Sequence, residues 1–479
     1  MRISRVLAVV IGAGLPAPGL VGVVAASVRP LAAQGTTPGS RGAASVPAGA
    51  RRPPGPMPRI LPLRERAAVI DRWLERRLDT VIPDVMRRAG IDLWIIAARE
   101  YDEDPVIETL LPATWMAARR RTVLIFHDRG SEQPVERLAV ARYDIGSFQR
   151  AWDPDVQPDQ WGRVAEIVAA RDPRRIAVDR SETFALADGL SGTEYDALLA
   201  ALPPVYRDRI VPAGGLAIGW LETRTPEEME VYPQIVRIAH RIIAEGLSSA
   251  VIQPGVTSTA DVEWWYRERI AGLELDTWFH PSVSVQRRDP GATGAAGGDF
   301  SAPPDESVIR PGDLLHVDFG ITYLRLNTDT QQHAYVLRPG ESDAPEGLKR
   351  AIGVANRLQD ALTDSFVTGR TGNEILRAAL ERARTEGIDA TIYTHPIGFH
   401  GHAAGPTIGL WDRQGGVPGR GDYPLFPNTA YSIELNAAVA IPEWGGQIVR
   451  IMLEEDAFFD GEVVWYIDGR QTRVWLVPR

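Results

Sequence analysis

The chain has no cysteine, so it can hold neither a disulfide nor a lipidated cysteine anchor. Lysine is almost absent too. Lys349 is the only one, so the positive charge is carried by arginine, a bias of coding rather than of function. Basic residues are outnumbered 52 to 62 by acidic ones, and the resulting net charge of −10 argues against a nucleic-acid partner, which would need a basic face to meet phosphates. The hydrophobic and charged fractions, 44% and 24%, are those of an ordinary folded protein. At 479 residues the chain is long enough to build its cores without covalent staples, and its length favours two folded domains plus an extension.

The N-terminus has a grammar of its own. MRISR is a short basic start, Leu7 to Ala26 is apolar or small with turns at Pro16 and Pro18, and Leu31, Ala32 and Ala33 resemble a small-residue cleavage region. Residues 1–34 therefore read as a removable signal peptide and the protein as exported, periplasmic or secreted, with no stable membrane span after processing. An uncleaved anchor is the alternative. Residues 35–58, rich in Pro, Gly, Ser and Ala, hold almost nothing to bury and read as a flexible linker.

Residues 59–210 read as a smaller α/β domain. An arginine-rich helical stretch from Ile60 to Ala89, in which Pro83 should kink or restart the helix, precedes short apolar runs at 91–97, 123–126, 138–141 and 176–178. The acidic cluster Asp102, Glu103 and Asp104 reads as a solvated loop, with substrate contact as the less favoured alternative. Near residue 210 the texture changes. Thr225, Pro226 and Glu228 form a capping-box start for a helix that Pro233 should kink or restart, opening a second domain over residues 211–479. Trp264 and Trp265 on the next helix read as core aromatics, FHPSVSVQ at 279–286 alternates like a strand, and the Gly, Ala and Asp-rich residues 287–304 form a loop that could border a cleft. Thr371 and Glu374 repeat the capping box. Helices and strands are segregated in this half, which predicts an α+β class.

The chemistry concentrates in GDLLHVDFGITYLRLNTDTQQHAYVL, residues 312–337, two apolar strands joined by a tight connection with Asp318 on one and Asp329 on the other. Burying a lone carboxylate in an apolar strand is costly unless something positive meets it. Two more acids lie in similar settings, Glu434 in YSIELN and Glu454 in IMLEED, and His395, His400 and His402 are three of the eight histidines within eight positions. Each alone is more often structural than chemical. Together, hard carboxylates and an imidazole suit a pair of divalent cations, Mn²⁺ foremost, with Zn²⁺, Co²⁺ or Fe²⁺ as alternatives, that ready water for hydrolysis.

The order of these pieces resembles the pita-bread metallopeptidases, the family of Xaa-Pro aminopeptidase, prolidase and methionine aminopeptidase: HVDFG at 316–320, an aspartate eleven positions later, the Gly-His-rich segment, the SIE ending at Glu434 and the EED starting at Glu454. The preceding half, with LETRTPEE at its exit, resembles the creatinase-type N-terminal domain of the proline-specific members. The resemblance implies a dinuclear aminopeptidase acting on peptides, with an Xaa-Pro preference and a homodimer by analogy. It implies Asp318, Asp329, His402, Glu434 and Glu454 as metal ligands, with Glu455 the rival of Glu454, Glu434 as the proton-handling group, and His395 contacting substrate or the tetrahedral intermediate. His400 is the rival imidazole. Departures accompany the match: the family's Asp-x-Thr-Arg-Thr stands here as Asp329-Thr-Gln-Gln-His333, and Trp411 stands in place of a later histidine. They keep open a metal-free, creatinase-like hydrolase and a peptide-binding protein without turnover.

Overall fold

A computed structural model describes residues 56–289 and 306–478. The expected signal peptide, the linker up to residue 55 and residues 290–304 of the glycine-rich loop lie outside the described residues. Among the described residues no helix is long and apolar enough to cross a membrane.

The first half is built on a six-stranded sheet of β1 (Leu93–Arg99), β2 (Arg121–His127), β3 (Glu136–Val140), β4 (Gln149–Arg150), β5 (Ile176–Val178) and β6 (Ile210–Pro212), in the order β4-β3-β2-β1-β5-β6. The apolar runs are unbroken because both faces are covered. Trp94, Ile96, Leu124 and Phe126 pack towards the helices Leu63–Ala89 and Gly215–Glu222. Leu93, Ile95, Val123 and Ile125 pack on the other side against Trp161, Val164 and Val168 of helix Gln160–Arg171. Strand β6 spans the expected boundary at residue 210, and this core continues as far as Leu221.

The second half is α+β. A four-stranded sheet, β19-β11-β8-β7, joins β7 (Ser282–Gln286), β8 (Leu314–Phe319), β11 (Thr330–Val336) and β19 (Trp475–Val477), with a small ribbon of β9 (Thr322–Tyr323) and β10 (Leu326–Asn327) between β8 and β11 in sequence. Helices Pro226–Gly246 and Thr259–Gly272 cover that sheet. Two further sheets follow, β12-β15-β16 and β13-β14-β17-β18, from β12 (Asp389–Ile392), β13 (His395–Pro396), β14 (Thr429–Ser432), β15 (Leu435–Ile441), β16 (Gln447–Leu453), β17 (Asp456–Phe459) and β18 (Val464–Tyr466). Helices Glu346–Thr363 and Gly372–Thr385 lie against β12 and β15. The sheets thus meet inside and the helices lie outside, with an antiparallel bridge between Gln331 and Glu454 tying one sheet system to the other.

Three expectations are corrected. The helices do not restart at Pro83 or Pro233, which lie inside the continuous helices Leu63–Ala89 and Pro226–Gly246. Buried apolar residues flanking each proline, Val81, Ile82, Val85 and Met86 in the first case and Tyr232, Ile235 and Val236 in the second, hold the helix together across the missing N–H. Trp264 is 61% exposed, since its neighbour Trp265 takes the core-facing position. Asp104 is not solvated: it is fully buried and caps helix Pro105–Leu110, accepting from Val106 N at 2.7 Å and Ile107 N at 3.2 Å.

Candidate metal centre

Strand alternation aims the first ligand. In β8 the side chains of Leu315, Val317 and Phe319 enter the core beneath helices Pro226–Gly246 and Thr259–Gly272, so Asp318 points the other way. The chain then returns through Leu324 and Arg325, both at positive φ (55° and 64°), the two-residue turn that matches hairpin twist, and delivers Asp329 just ahead of β11. Asp329 is held through its own backbone: its N–H donates to Asp456 Oδ1 at 3.2 Å, and its carbonyl lies 3.3 Å from Ser432 Oγ. Glu434 lies between β14 and β15, and Glu454 at the end of β16.

These side chains converge. Asp318, Asp329 and Glu454 form one trio, His395, Glu434 and Glu454 a second, and Asp329, His395 and His402 a third, with one ligand atom per residue within 4.8 Å of the others in each trio. His395 Nδ1 donates to the Pro396 carbonyl at 2.9 Å, leaving Nε2 aimed at Asp329 Oδ2 (3.5 Å) and Glu454 Oε1 (3.4 Å). A backbone bond on one nitrogen that frees the other is how a ligating histidine is usually oriented. His402 meets His395 edge to face at 4.7 Å, is exposed, and lies against Trp278 and Tyr393. A Cβ at Gly401 would collide with the Trp278 ring, which accounts for glycine beside that histidine.

The electrostatics match a cation site. Burial and then the Glu454 carboxylate push Asp318, Asp329 and Glu434 well above the usual carboxylate range. Burial alone would lower His395, but the Glu454 carboxylate outweighs it and raises the imidazole. Asp318 Oδ1, Asp329 Oδ1 and His395 Nε2 are buried without a hydrogen-bond partner. Buried polar atoms are ordinarily paired, and orphans at one spot with hard, anionic donors fit divalent cations.

The remaining candidates separate clearly. Glu455 turns away: its Oε2 meets His240 Nε2 at 2.7 Å, and its Oε1 accepts from Gln471 N at 2.7 Å and Gln332 Nε2 at 3.2 Å. His400 joins none of the three trios, and burial beside Arg224 pushes it down to about 4. Sequence reasoning missed the outer partners Ser432, which donates to Glu454 Oε1 at 2.6 Å, and Tyr393, whose hydroxyl is 3.4 Å from His402 Nε2. Their only sequence signal is period two, Ser432 lying two before Glu434 and Tyr393 two before His395.

The architecture is that of the pita-bread class, and its convergent acids and imidazoles form a candidate metal centre. Residues 234–456 match the model of metallopeptidase family M24. No match is found among curated proteins. Solved structures share the fold. The X-Pro aminopeptidase of Thermotoga maritima is 17% identical, with 82% of this chain and 100% of that one covered at a TM-score of 0.55. A dipeptidase from Mycobacterium ulcerans is 20% identical over 85% and 99% at 0.53. Zinc-substituted aminopeptidase P of E. coli, in complex with product, is 12% identical over 83% and 95% at 0.54.

Proposed function

We propose that this chain is an exported dinuclear aminopeptidase that hydrolyses the N-terminal bond of peptides, with proline after the scissile bond. The observation that carries the reading is the meeting of Asp318 Oδ1, Asp329 Oδ1 and His395 Nε2, buried and unpaired, beside Glu434 and Glu454. A metal-free enzyme would leave that concentration of buried acids with little to offset its desolvation, so no observation favours that alternative. Asp318, Asp329, Glu434, Glu454 and His395 would hold the ions, with Mn²⁺ the first choice for an oxygen-rich set. This reverses the order expected from sequence, in which His402 was the ligand and His395 the substrate contact.

Held there, a pair of divalent cations would supply an acidified water and polarisation of the peptide carbonyl. Glu434, half-buried at the edge of the cluster, takes the proton and returns it to the leaving amine. His402, exposed but fixed against Trp278 and Tyr393, faces the substrate and steadies the carbonyl oxygen as charge develops. The two aromatic rings that flank His402 offer apolar surface suited to a pyrrolidine ring, and the similar solved structures include an enzyme named for X-Pro substrates. Export rests on residues 1–34, and a homodimer on analogy with the family.

The test is a panel of Xaa-Pro and Xaa-Ala peptides incubated with protein reconstituted in Mn²⁺, Zn²⁺ or Co²⁺, with the released N-terminal amino acid measured beside the metal content. About two metal equivalents and release from Xaa-Pro peptides are expected. Tight peptide binding without turnover under every metal would make this a binding protein instead.

A further inference from the structure

Where the family pattern has threonine, two positions after its second aspartate, this chain has Gln331, and its side chain reaches both glutamates of the centre. Gln331 Nε2 is 2.7 Å from Glu434 Oε1 and 2.8 Å from Glu454 Oε2. With metal bound both carboxylates are ionised and only accept hydrogen bonds, so the amide turns its NH₂ towards them and spends both hydrogens there. Its oxygen then needs a donor. His316 Nε2 stands 2.9 Å from Gln331 Oε1, and Ser284 Oγ at 3.4 Å from His316 Nδ1 completes the chain. His316 lies directly across the hairpin from His333 and next but one to Asp318, on the strand face that looks into the centre. The main chain adds to the grip, since Gln331 N donates to the Glu454 carbonyl at 3.0 Å and the Gln331 carbonyl accepts from Glu454 N at 3.3 Å. Gln331 is buried, and every polar atom of its amide is used.

We infer that Gln331, its amide oriented by His316, is a positioning residue that fixes the mutual geometry of Glu434 and Glu454 and so sets metal affinity. The inference rests on the dinuclear reading of the centre. Ser432 and His395 meet only the other oxygen of Glu454, so without Gln331 the ions would have to counter the repulsion between the two glutamates. One amide donating to both of them supplies a fixed spacer that a threonine hydroxyl, with a single hydrogen, cannot provide. The device is specific to the amide's hydrogens rather than to its bulk.

The test compares Gln331→Glu, Gln331→Ala, His316→Leu and His316→Gln with the full-length parent. Mn²⁺ affinity is measured by equilibrium dialysis, the Co²⁺ derivative by its visible absorption, and the metal-free fold by thermal melting. Gln331→Glu keeps the shape and removes the donors, so it should bind metal about 10–100-fold more weakly and change the cobalt spectrum, as should Gln331→Ala. His316→Leu should lose part of the same affinity, while His316→Gln, which restores an N–H at that place, should recover it. The double variant Gln331→Ala/His316→Leu should be no worse than Gln331→Ala alone. Parental affinity and an unchanged cobalt spectrum in Gln331→Glu would overturn the inference while leaving the metal centre intact. A parent that takes up no metal would instead overturn the centre, and this inference with it. Should Gln331→Ala fail to fold, the isosteric Gln331→Glu and the His316 pair decide the matter.

Discussion

The ring of His402 stands edge-on to that of His395 at 4.7 Å, one imidazole on the carboxylates and the other facing outwards. The two should therefore fail differently. His395→Ala removes a ligand atom and should strip the protein of metal as well as activity. His402→Ala should keep its metal and lose kcat by about 10²–10³-fold, the usual effect of removing a group that steadies a developing oxyanion. Metal analysis and steady-state kinetics on both variants check this. A His402→Ala protein that loads no metal would restore the order expected from sequence.

Metal binding should expel protons. Burial and mutual repulsion hold Asp318, Asp329 and Glu434 well above the normal carboxylate range, so the metal-free centre keeps protons that the ions must displace. Affinity should accordingly rise with pH above the ordinary carboxylate range. Titration calorimetry of Mn²⁺ in two buffers of different ionisation enthalpy reads the protons released per ion. Identical heats in both buffers would contradict it. Chelation should lower the melting temperature, because at a thousandfold excess over Kd the ions stabilise the fold by about 4 kcal/mol.

The acids of the centre were legible in the sequence because Asp318, Asp329, Glu434 and Glu454 interrupt apolar strands, where a carboxylate is too costly to keep unless a cation or a donor meets it. The placing of the three imidazoles was not. His395, His400 and His402 share a loop whose path is set by Trp278 against Gly401 and by Phe399 between two arginines from distant segments, contacts that no local pattern encodes. The α+β class, both capping boxes and the hairpin followed from periodicity and turn chemistry. The helices run on past Pro83 and Pro233 because tertiary packing of their neighbours overrides the local penalty. The role of Gln331 showed in the sequence only as a departure, and its meaning needed the distances to Glu434 and Glu454.

In the N-terminal half, Asp104 and Asp179 are both fully buried and each leaves one carboxylate oxygen without a hydrogen-bond partner. Burial pushes Asp104 up to about 6, and burial with the Asp104 charge pushes Asp179 well above its usual value. The folded state thus holds protons that the unfolded chain has released, and stability falls as pH rises from the unfolded carboxylate range through about 6. Asp179→Asn keeps the acceptor for Trp94 Nε1 and offers Asp104 an N–H. It should raise stability at pH 8 by about 1–3 kcal/mol and have little effect at pH 4. Denaturant melts at both pH values check the sign.

Glu228 is the single carboxylate between two buried guanidiniums, 3.0 Å from Arg77 and 3.4 Å from Arg224. It also closes the capping box of helix Pro226–Gly246, accepting from Thr225 N at 2.7 Å. Both guanidiniums lie over the Phe399 ring, at 4.7 Å and 4.5 Å from its centroid, so the same ion network clamps the loop that carries His395 and His402. Glu228→Gln preserves shape and most hydrogen bonds but leaves two buried cations uncompensated. Breaking a buried pair in this way costs about 3–5 kcal/mol, far more than an exposed ion pair would. Because the clamp and the loop are one packed unit, the variant's residual folded fraction should also show weakened metal binding. Chemical denaturation gives the first quantity and equilibrium dialysis of Mn²⁺ the second. A variant as stable as the parent would mean that the two arginines find their compensation elsewhere, in the carbonyls of Trp220, Leu221 and Thr223 that they also contact.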